Sequence, residues 1–202
     1  VELYKVSEAA GSAGDVAVLL EENFAGCVKD NTDISDDFYQ YVEGEWIAYN
    51  VYSDSGVLRI GTAKESGLLT TPHIMAEGEV VVSFNTWLYN PTDTDVVLGI
   101  AVYDENDDDV VYEEVLPTSQ KSNYKVKAAV DGEFYVVFDT FSSTGKHRVK
   151  IDDISVSAVS SVKTEKITAV TVSETSCRFD GLDAGCRYIY RVQAKDAAGS
   201  SA

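Results

Sequence analysis

The chain has 202 residues, 45% of them hydrophobic, and carries 34 Asp and Glu against 16 Lys and Arg for a formal net charge of −18. That length and apolar content suffice for one or two domains with real cores. The charge repels nucleic-acid phosphates and anionic membrane surfaces, and no run approaches the about 18 apolar residues needed to span a bilayer, so neither a nucleic-acid partner nor membrane insertion is expected.

In chain order, residues 1–18 read as an N-terminal extension in which Val1-Glu2-Leu3-Tyr4-Lys5-Val6 resembles the tail of a preceding module. The start at Val1 instead of a Met fits a chain whose signal segment has been removed. The segment from about Ala9 to Leu20 is the one stretch whose pattern allows a helix. From there the signal is β. Glu79–Tyr89, Val96–Tyr103, Val110–Leu116, Tyr124–Val130 and Glu133–Phe138 are β-branched and aromatic runs bounded by turn residues. Asn90-Pro91-Thr92-Asp93, Asp131-Gly132 and Ser143-Thr144-Gly145 read as compact reversals between antiparallel strands. Many short strands at this spacing predict an all-β sandwich or jelly roll over residues 19–159.

Two acidic segments stand at either end of that domain. Glu21-Glu22-Asn23-Phe24 and Ile151-Asp152-Asp153-Ile154 embed carboxylates in apolar strand-like runs, where a charge is costly unless a cation meets it. Pairing of the first and last strands would bring Glu21, Glu22, Asn23, Asp152 and Asp153 together. A hard cation such as Ca²⁺ prefers carboxylate and carbonyl oxygens, so these five are the candidate ligands of a structural calcium. Val149 and Ile151 share one parity and Ile154 and Val156 the other. The period therefore slips at the two aspartates, as a β-bulge would make it slip. The competing expectation is that these acids cap strand ends in solvent or pair with Lys150 and Arg148. A further run, Asp104-Glu105-Asn106-Asp107-Asp108-Asp109, lacks the turn glycine and terminal Glu of an EF-hand loop and reads as a solvated hairpin tip.

Candidate ligand-binding residues come from strand periodicity. Along Val80–Tyr89, Val80, Val82, Phe84 and Leu88 share one face, while Asn85, Trp87 and Tyr89 share the other. Along the next strand Val96, Leu98, Ile100 and Val102 fall together, leaving Gly99, Ala101 and Tyr103 opposite. If the two strands are neighbours, Asn85, Trp87, Tyr89 and Tyr103 form one shallow aromatic platform. Sugar rings stack C–H faces on aromatics and bond amides and carboxylates, so glycan is the expected ligand. Trp46, with Tyr49 and Tyr52 nearby, is either a rival site or core.

Catalysis is not expected. His73 and His147 lie in no nucleophile context, and no GxSxG elbow, HExxH helix, Walker loop or dinucleotide glycine motif occurs. A glycosidase pair among the many carboxylates is left open, because its diagnostic is separation in space.

Beyond about Val159–Lys163 the composition changes, and residues 160–202 form a second unit. Ser176 to Ala194 looks like the E–F hairpin of a fibronectin type III sandwich. Leu182 would plug its turn, and Tyr188 would be the corner tyrosine whose hydroxyl bonds back to backbone. About half of a sandwich is present, so the chain reads as a slice of a larger tandem array with other modules. Cys177 and Cys186, nine apart across a turn, are either a disulfide or two small buried residues; Cys27 stands alone.

Glu22-Asn23-Phe24, Gly56-Val57-Leu58-Arg59-Ile60-Gly61, Gly67-Leu68-Leu69-Thr70-Thr71-Pro72-His73-Ile74, Val82-Ser83-Phe84 and Ile151-Asp152-Asp153-Ile154-Ser155-Val156 follow the order seen in cleaved-adhesin jelly rolls. Residues 19–158 thus resemble the gingipain-type adhesin modules of Bacteroidetes surface proteins, with MAM domains as more distant relatives. The resemblance implies a noncatalytic, secreted or cell-surface module that binds glycan or a host surface protein, with a structural calcium near the opening Glu and closing Asp. The alternative is a structural spacer or accessory domain of a larger surface hydrolase or protease. The acidic stretch between Phe24 and Trp46 and the displaced early Trp motif depart from the pattern.

Overall fold

The computed structural model describes residues 2–8, 16–159, 162–169, 176–183 and 186–191. They fall into two compact units, one spanning Val16–Val159 and one combining Val1–Asp15 with Ser160–Ala202. The strands in chain order are β1 (Glu2–Glu8), β2 (Val16–Glu22), β3 (Thr32–Asp33), β4 (Ile47–Tyr49), β5 (Val51–Ser53), β6 (Leu58–Ile60) and β7 (Leu68–Thr70). They continue as β8 (Ile74–Leu88), β9 (Val96–Asp104), β10 (Asp109–Val115), β11 (Ser122–Ser142), β12 (Val149–Val159), β13 (Val162–Ala169) and β14 (Arg187–Arg191).

The larger unit is an all-β jelly-roll sandwich. Its antiparallel ladder runs β10-β9-β11-β8-β12-β6-β5-β3, with β2 added on β12, β7 on β11 and β4 on β7. One long strand joins its two layers. The first half of β11, Ser122–Phe134, pairs with β8, whereas its second half, Phe134–Ser142, pairs with β9. The Asp131-Gly132 reversal expected from sequence is therefore a bend inside a continuous strand. Gly132 takes φ +123 and Gly78, near it on β8, takes φ +94, conformations that a Cβ would oppose. These bends carry the ladder from one layer to the other without breaking it.

The core lies between the layers. Val80, Val82 and Phe84 on β8 meet Ile100 and Val102 on β9 and Phe138 on β11 within one buried cluster. Phe84 and Phe138 pack edge to face at 5.2 Å. Each such fully buried side chain contributes about 1.5–3 kcal/mol. Phe24, Phe38 and Trp46 close one end of the cluster, with ring centroids 5.9–6.4 Å apart. Trp46 is thus core, and its indole N–H donates to the Glu43 carbonyl at 3.1 Å. Gly61 and Gly67 let two backbones touch: a Cβ on Gly67 would lie 2.3 Å from the Gly61 nitrogen.

Where described, the segment with helical pattern is strand. Val16–Glu22 is β2, paired antiparallel with β12, so ladder formation overrides local helix preference; residues 9–15 lie outside the described residues. The smaller unit is a three-stranded antiparallel sheet in the order β13-β1-β14. The segment that looks in sequence like the tail of a preceding module is thus the central strand of this unit, hydrogen-bonded on both sides. The Tyr188 hydroxyl accepts the Asp183 backbone N–H at 2.8 Å, the local bond expected of a corner tyrosine. Leu182 is exposed instead of plugging the turn. Cys177 and Cys186 are free, half-buried thiols, so the disulfide alternative is not realised.

Candidate functional site

The site is built on the outer face of the layer formed by β5, β6, β12, β8 and the first half of β11. In β8 the even-numbered residues Val80, Val82, Phe84, Thr86 and Leu88 are buried, which turns Asn85, Trp87 and Tyr89 outward. The register then fixes their neighbours. Tyr52 on β5 lies opposite Arg59 on β6, Arg59 opposite Lys150 on β12, and Lys150 opposite Trp87 on β8. Lys121, just before β11, puts its ammonium 5.3 Å from the centre of the Trp87 ring. Aromatic and cationic side chains thus cross the sheet in one row: Tyr52, Arg59, Lys150, Trp87, Lys121.

Tyr89 lies along β8 from Trp87, about 7 Å on for two residues of strand. Its ring faces the cations of Arg59 at 4.9 Å, Arg148 at 5.1 Å and Lys150 at 5.6 Å. The Arg59 guanidinium stacks 3.9 Å from the centre of Tyr52. Burial and the neighbouring Asp33 raise the Tyr52 phenol, and Arg59 opposes them. Each such cation–π contact is worth about 0.5–1 kcal/mol at an exposed site and more where water is excluded.

The sequence-derived platform is only partly assembled. Asn85, Trp87 and Tyr89 share this face, but Tyr103 does not join them. β9 and β8 are separated in the ladder by β11, and they pair with different halves of that bent strand. Tyr103 instead lies opposite Asp109 and Tyr135 and stacks on the Tyr135 ring at 5.3 Å. Burial, followed by the hydrogen bond to Asp109, raises its phenol. Tyr135 in turn faces His73 at 5.1 Å and donates its hydroxyl to Asp107 at 2.8 Å.

The two acidic segments do lie on paired strands, with Glu22 opposite Ile154 and Glu21 opposite Ser155. The slip in period is a β-bulge: the β8–β12 register shifts between Asp152 and Ser155, and Asp153 takes φ +51. The bulge aims both carboxylates at one cation. Lys121 Nζ donates to Asp152 Oδ2 at 2.5 Å and to Asp153 Oδ2 at 3.2 Å, and Asn85 Nδ2 donates to Asp153 Oδ2 at 2.7 Å. Burial alone would lower Lys121, but the bonds from Asp152 and Asp153 hold it above its ordinary pKa.

Glu22 and Asn23 are occupied locally, Glu22 Oε1 accepting the Phe24 N–H at 2.8 Å and Asn23 Oδ1 the Ala25 N–H at 3.0 Å. Among the described residues no three of His, Cys, Asp and Glu converge closely enough to hold a metal ion. As placed, Glu21, Glu22, Asn23, Asp152 and Asp153 do not form a calcium cage, although Asp152 Oδ1 is buried without a hydrogen-bond partner. Glu21 and Glu22 also line an open concavity of about 560 Å³ with Leu20, Tyr41 and Trp46.

Sequence reasoning missed Lys121 and the place of Arg59 in this face; it named Lys150 only as a partner for the aspartates and Tyr52 only beside the rival Trp46 site. The signal for Arg59 was present: it sits alone in Val57-Leu58-Arg59-Ile60, a charge in an apolar strand, the same rule that drew attention to the aspartates. Lys121 carried none, since its place follows from register.

No family model matches the sequence, and no curated protein is similar to it. Similar solved structures include the K3 cleaved adhesin domain of Lys-gingipain from Porphyromonas gingivalis, at 13% identity and TM-score 0.45, covering 70% of this chain and 98% of that one. The CBM22-1 xylan-binding domain of Paenibacillus barcinonensis Xyn10C is 15% identical with TM-score 0.43, covering 80% and 100%. TmCBM61, solved with β-1,4-galactotriose, is 14% identical with TM-score 0.41, covering 76% and 86%.

Proposed function

We propose that the Val16–Val159 sandwich is a noncatalytic binding module of a secreted or cell-surface protein, and that it engages glycan through the outer face that carries Asn85, Trp87 and Tyr89. The observation that carries this reading is the cross-strand row itself. Trp87 on β8 and Tyr89 just past its end lie on one face, half-buried, with rings backed by cations and with an amide beside them. Flat aromatics on a rigid sheet offer stacking surface at little entropic cost, and the amide and charged groups give hydrogen bonds that fix orientation. No helix among the described residues is long and apolar enough to cross a membrane.

A glycan array tests the proposal. Saturable binding lost in Trp87→Ala, with an unchanged melting midpoint, supports it. Absence of binding above controls for the wild type leaves the other role, a spacer or accessory domain among other modules of a larger polypeptide. Retained binding in Trp87→Ala moves the site elsewhere, first to the Tyr103–Tyr135 face.

A further inference from the structure

We infer that the same face selects acidic glycans, receiving the carboxylate of a uronic-acid residue at Arg59; this rests on the glycan-binding proposal above and names its ligand class. The argument is a charge balance over the face. The cations in and beside the row have carboxylate partners: Lys121 has Asp152 and Asp153, Lys150 has Asp54 at 3.0 Å, and Arg148 has Asp93 at 2.7 Å, while Lys125, farther along β11, has none among the described residues but is exposed to water. Arg59 has none among the described residues. It is only 7% exposed, its Nε is buried without a hydrogen-bond partner, and the one hydrogen bond its side chain makes among the described residues is Nη1 donating to the neutral Asn31 Oδ1 at 2.6 Å.

A guanidinium cannot shed its proton to relieve burial, so it keeps its full charge in a place where charge is costly. In a chain of net charge −18, with 34 acidic side chains, leaving one buried arginine without a carboxylate points to a partner that arrives from outside. The planar fork of arginine matches a carboxylate's two oxygens. Tyr52 at 3.9 Å and Tyr89 at 4.9 Å flank the guanidinium, and both are half-buried rings whose exposed parts offer a sugar a stacking surface while its acid group meets the charge. Charge and ring face together define an acidic sugar better than they define a neutral one.

The test is calorimetric titration with oligogalacturonate tetramer and a glucuronate-bearing xylooligosaccharide, each beside its methyl ester, which keeps the shape and removes the charge. A charge-assisted bond predicts about tenfold or greater preference for at least one acid over its ester. That preference should vanish in Arg59→Gln, persist in part in Arg59→Lys, and be unaffected in Lys127→Gln. The wild type gives a second readout that needs no folded variant: the Arg59 Nε–H resonance should shift on titration with the acid and stay fixed with the ester. Equal binding of acid and ester, binding of neither, or an unmoved Nε–H resonance overturns the acidic-glycan inference. Ester binding that still requires Trp87 would leave the broader glycan proposal standing, whereas an empty glycan array would remove both.

Discussion

The Lys121 ammonium and the Asp152 carboxylate meet at 2.5 Å, across the bulge where the apolar period of β12 breaks. Asp152 is nearly buried and Lys121 is partly exposed, so the pair is neither a free surface contact nor a sealed ion pair. Asp152→Asn with Asp153→Asn should lower stability by about 1–3 kcal/mol, because Lys121 loses both its negatively charged partners. Asp107→Asn with Asp108→Asn takes the charge from the acceptor of a single half-buried tyrosine, Tyr135, and relieves crowding among like charges, so its effect should be smaller. A Lys121→Gln background should abolish most of the Asp152 effect in a double-mutant cycle. Calcium on Glu21, Glu22, Asn23, Asp152 and Asp153 is the competing proposal. It requires a melting midpoint that rises with calcium and falls with EGTA, and an Asp152 effect that does not depend on Lys121.

Legibility in the sequence followed the range of the interactions. Alternation along β8 separated Phe84 from Asn85 and Trp87 correctly, and the parity slip at Asp152-Asp153 located the bulge, because both are properties of one strand. Tyr103 was misplaced and Lys121 was overlooked because their neighbours depend on which strands pair. That order turns on β11 bending at Gly132 where a reversal seemed due. A glycine next to an Asp between two β runs encodes a change of direction equally well as a hairpin or as a bend.

Asp93 closes the turn after β8 and is completely buried. Arg148 grips its Oδ2 with Nε at 3.1 Å and Nη2 at 2.7 Å, and Lys146 lies 3.5 Å from Oδ1. Removing the negative partner leaves a largely buried guanidinium uncompensated. Asp93→Asn should therefore cost about 3–5 kcal/mol in denaturant unfolding, against under about 1 kcal/mol for Glu79→Gln, whose partner Lys127 is exposed. Comparable costs for the two substitutions would show that the Asp93 pair carries no special weight.

Two carboxylates should give opposite pH dependence. Asp95 accepts from the Ser142 hydroxyl and then from the Thr144 hydroxyl and N–H, which hold its carboxyl well below the usual range. Its contribution is present above the ordinary carboxylate pKa of about 4 and is lost as pH falls towards its folded value. Asp95→Asn should thus be less stable than wild type at neutral pH and converge with it in strong acid. Asp139 is pushed upward, chiefly by burial and also by Glu114. Its favourable contribution is complete below the same ordinary pKa of about 4 and disappears as pH rises through its folded value. Asp139→Asn should gain stability over wild type at neutral pH and show no gain near pH 3. Parallel pH profiles for the two variants would contradict both assignments.

Cys27 is fully buried among the residues of the aromatic end of the core, and its thiol is pushed up to about 11, first by burial and then by the charge of Glu22. At pH 8 a thiol with that pKa has only about one molecule in a thousand as thiolate, and even that fraction is shielded from reagent. Cys177 and Cys186 are half-buried and free. Labelling with a maleimide at pH 8, followed by peptide mapping, should modify Cys177 and Cys186 in the native protein and reach Cys27 only after denaturation. Exchanging the thiol for a hydroxyl tests the same burial from the other side. Cys27→Ser places a stronger polar group where no partner is provided and should cost about 1–3 kcal/mol, whereas Cys177→Ser should be close to neutral. Native labelling of Cys27 at the rate of the other two cysteines would mean that this end of the sandwich opens, and that Phe24, Phe38 and Trp46 do not seal it.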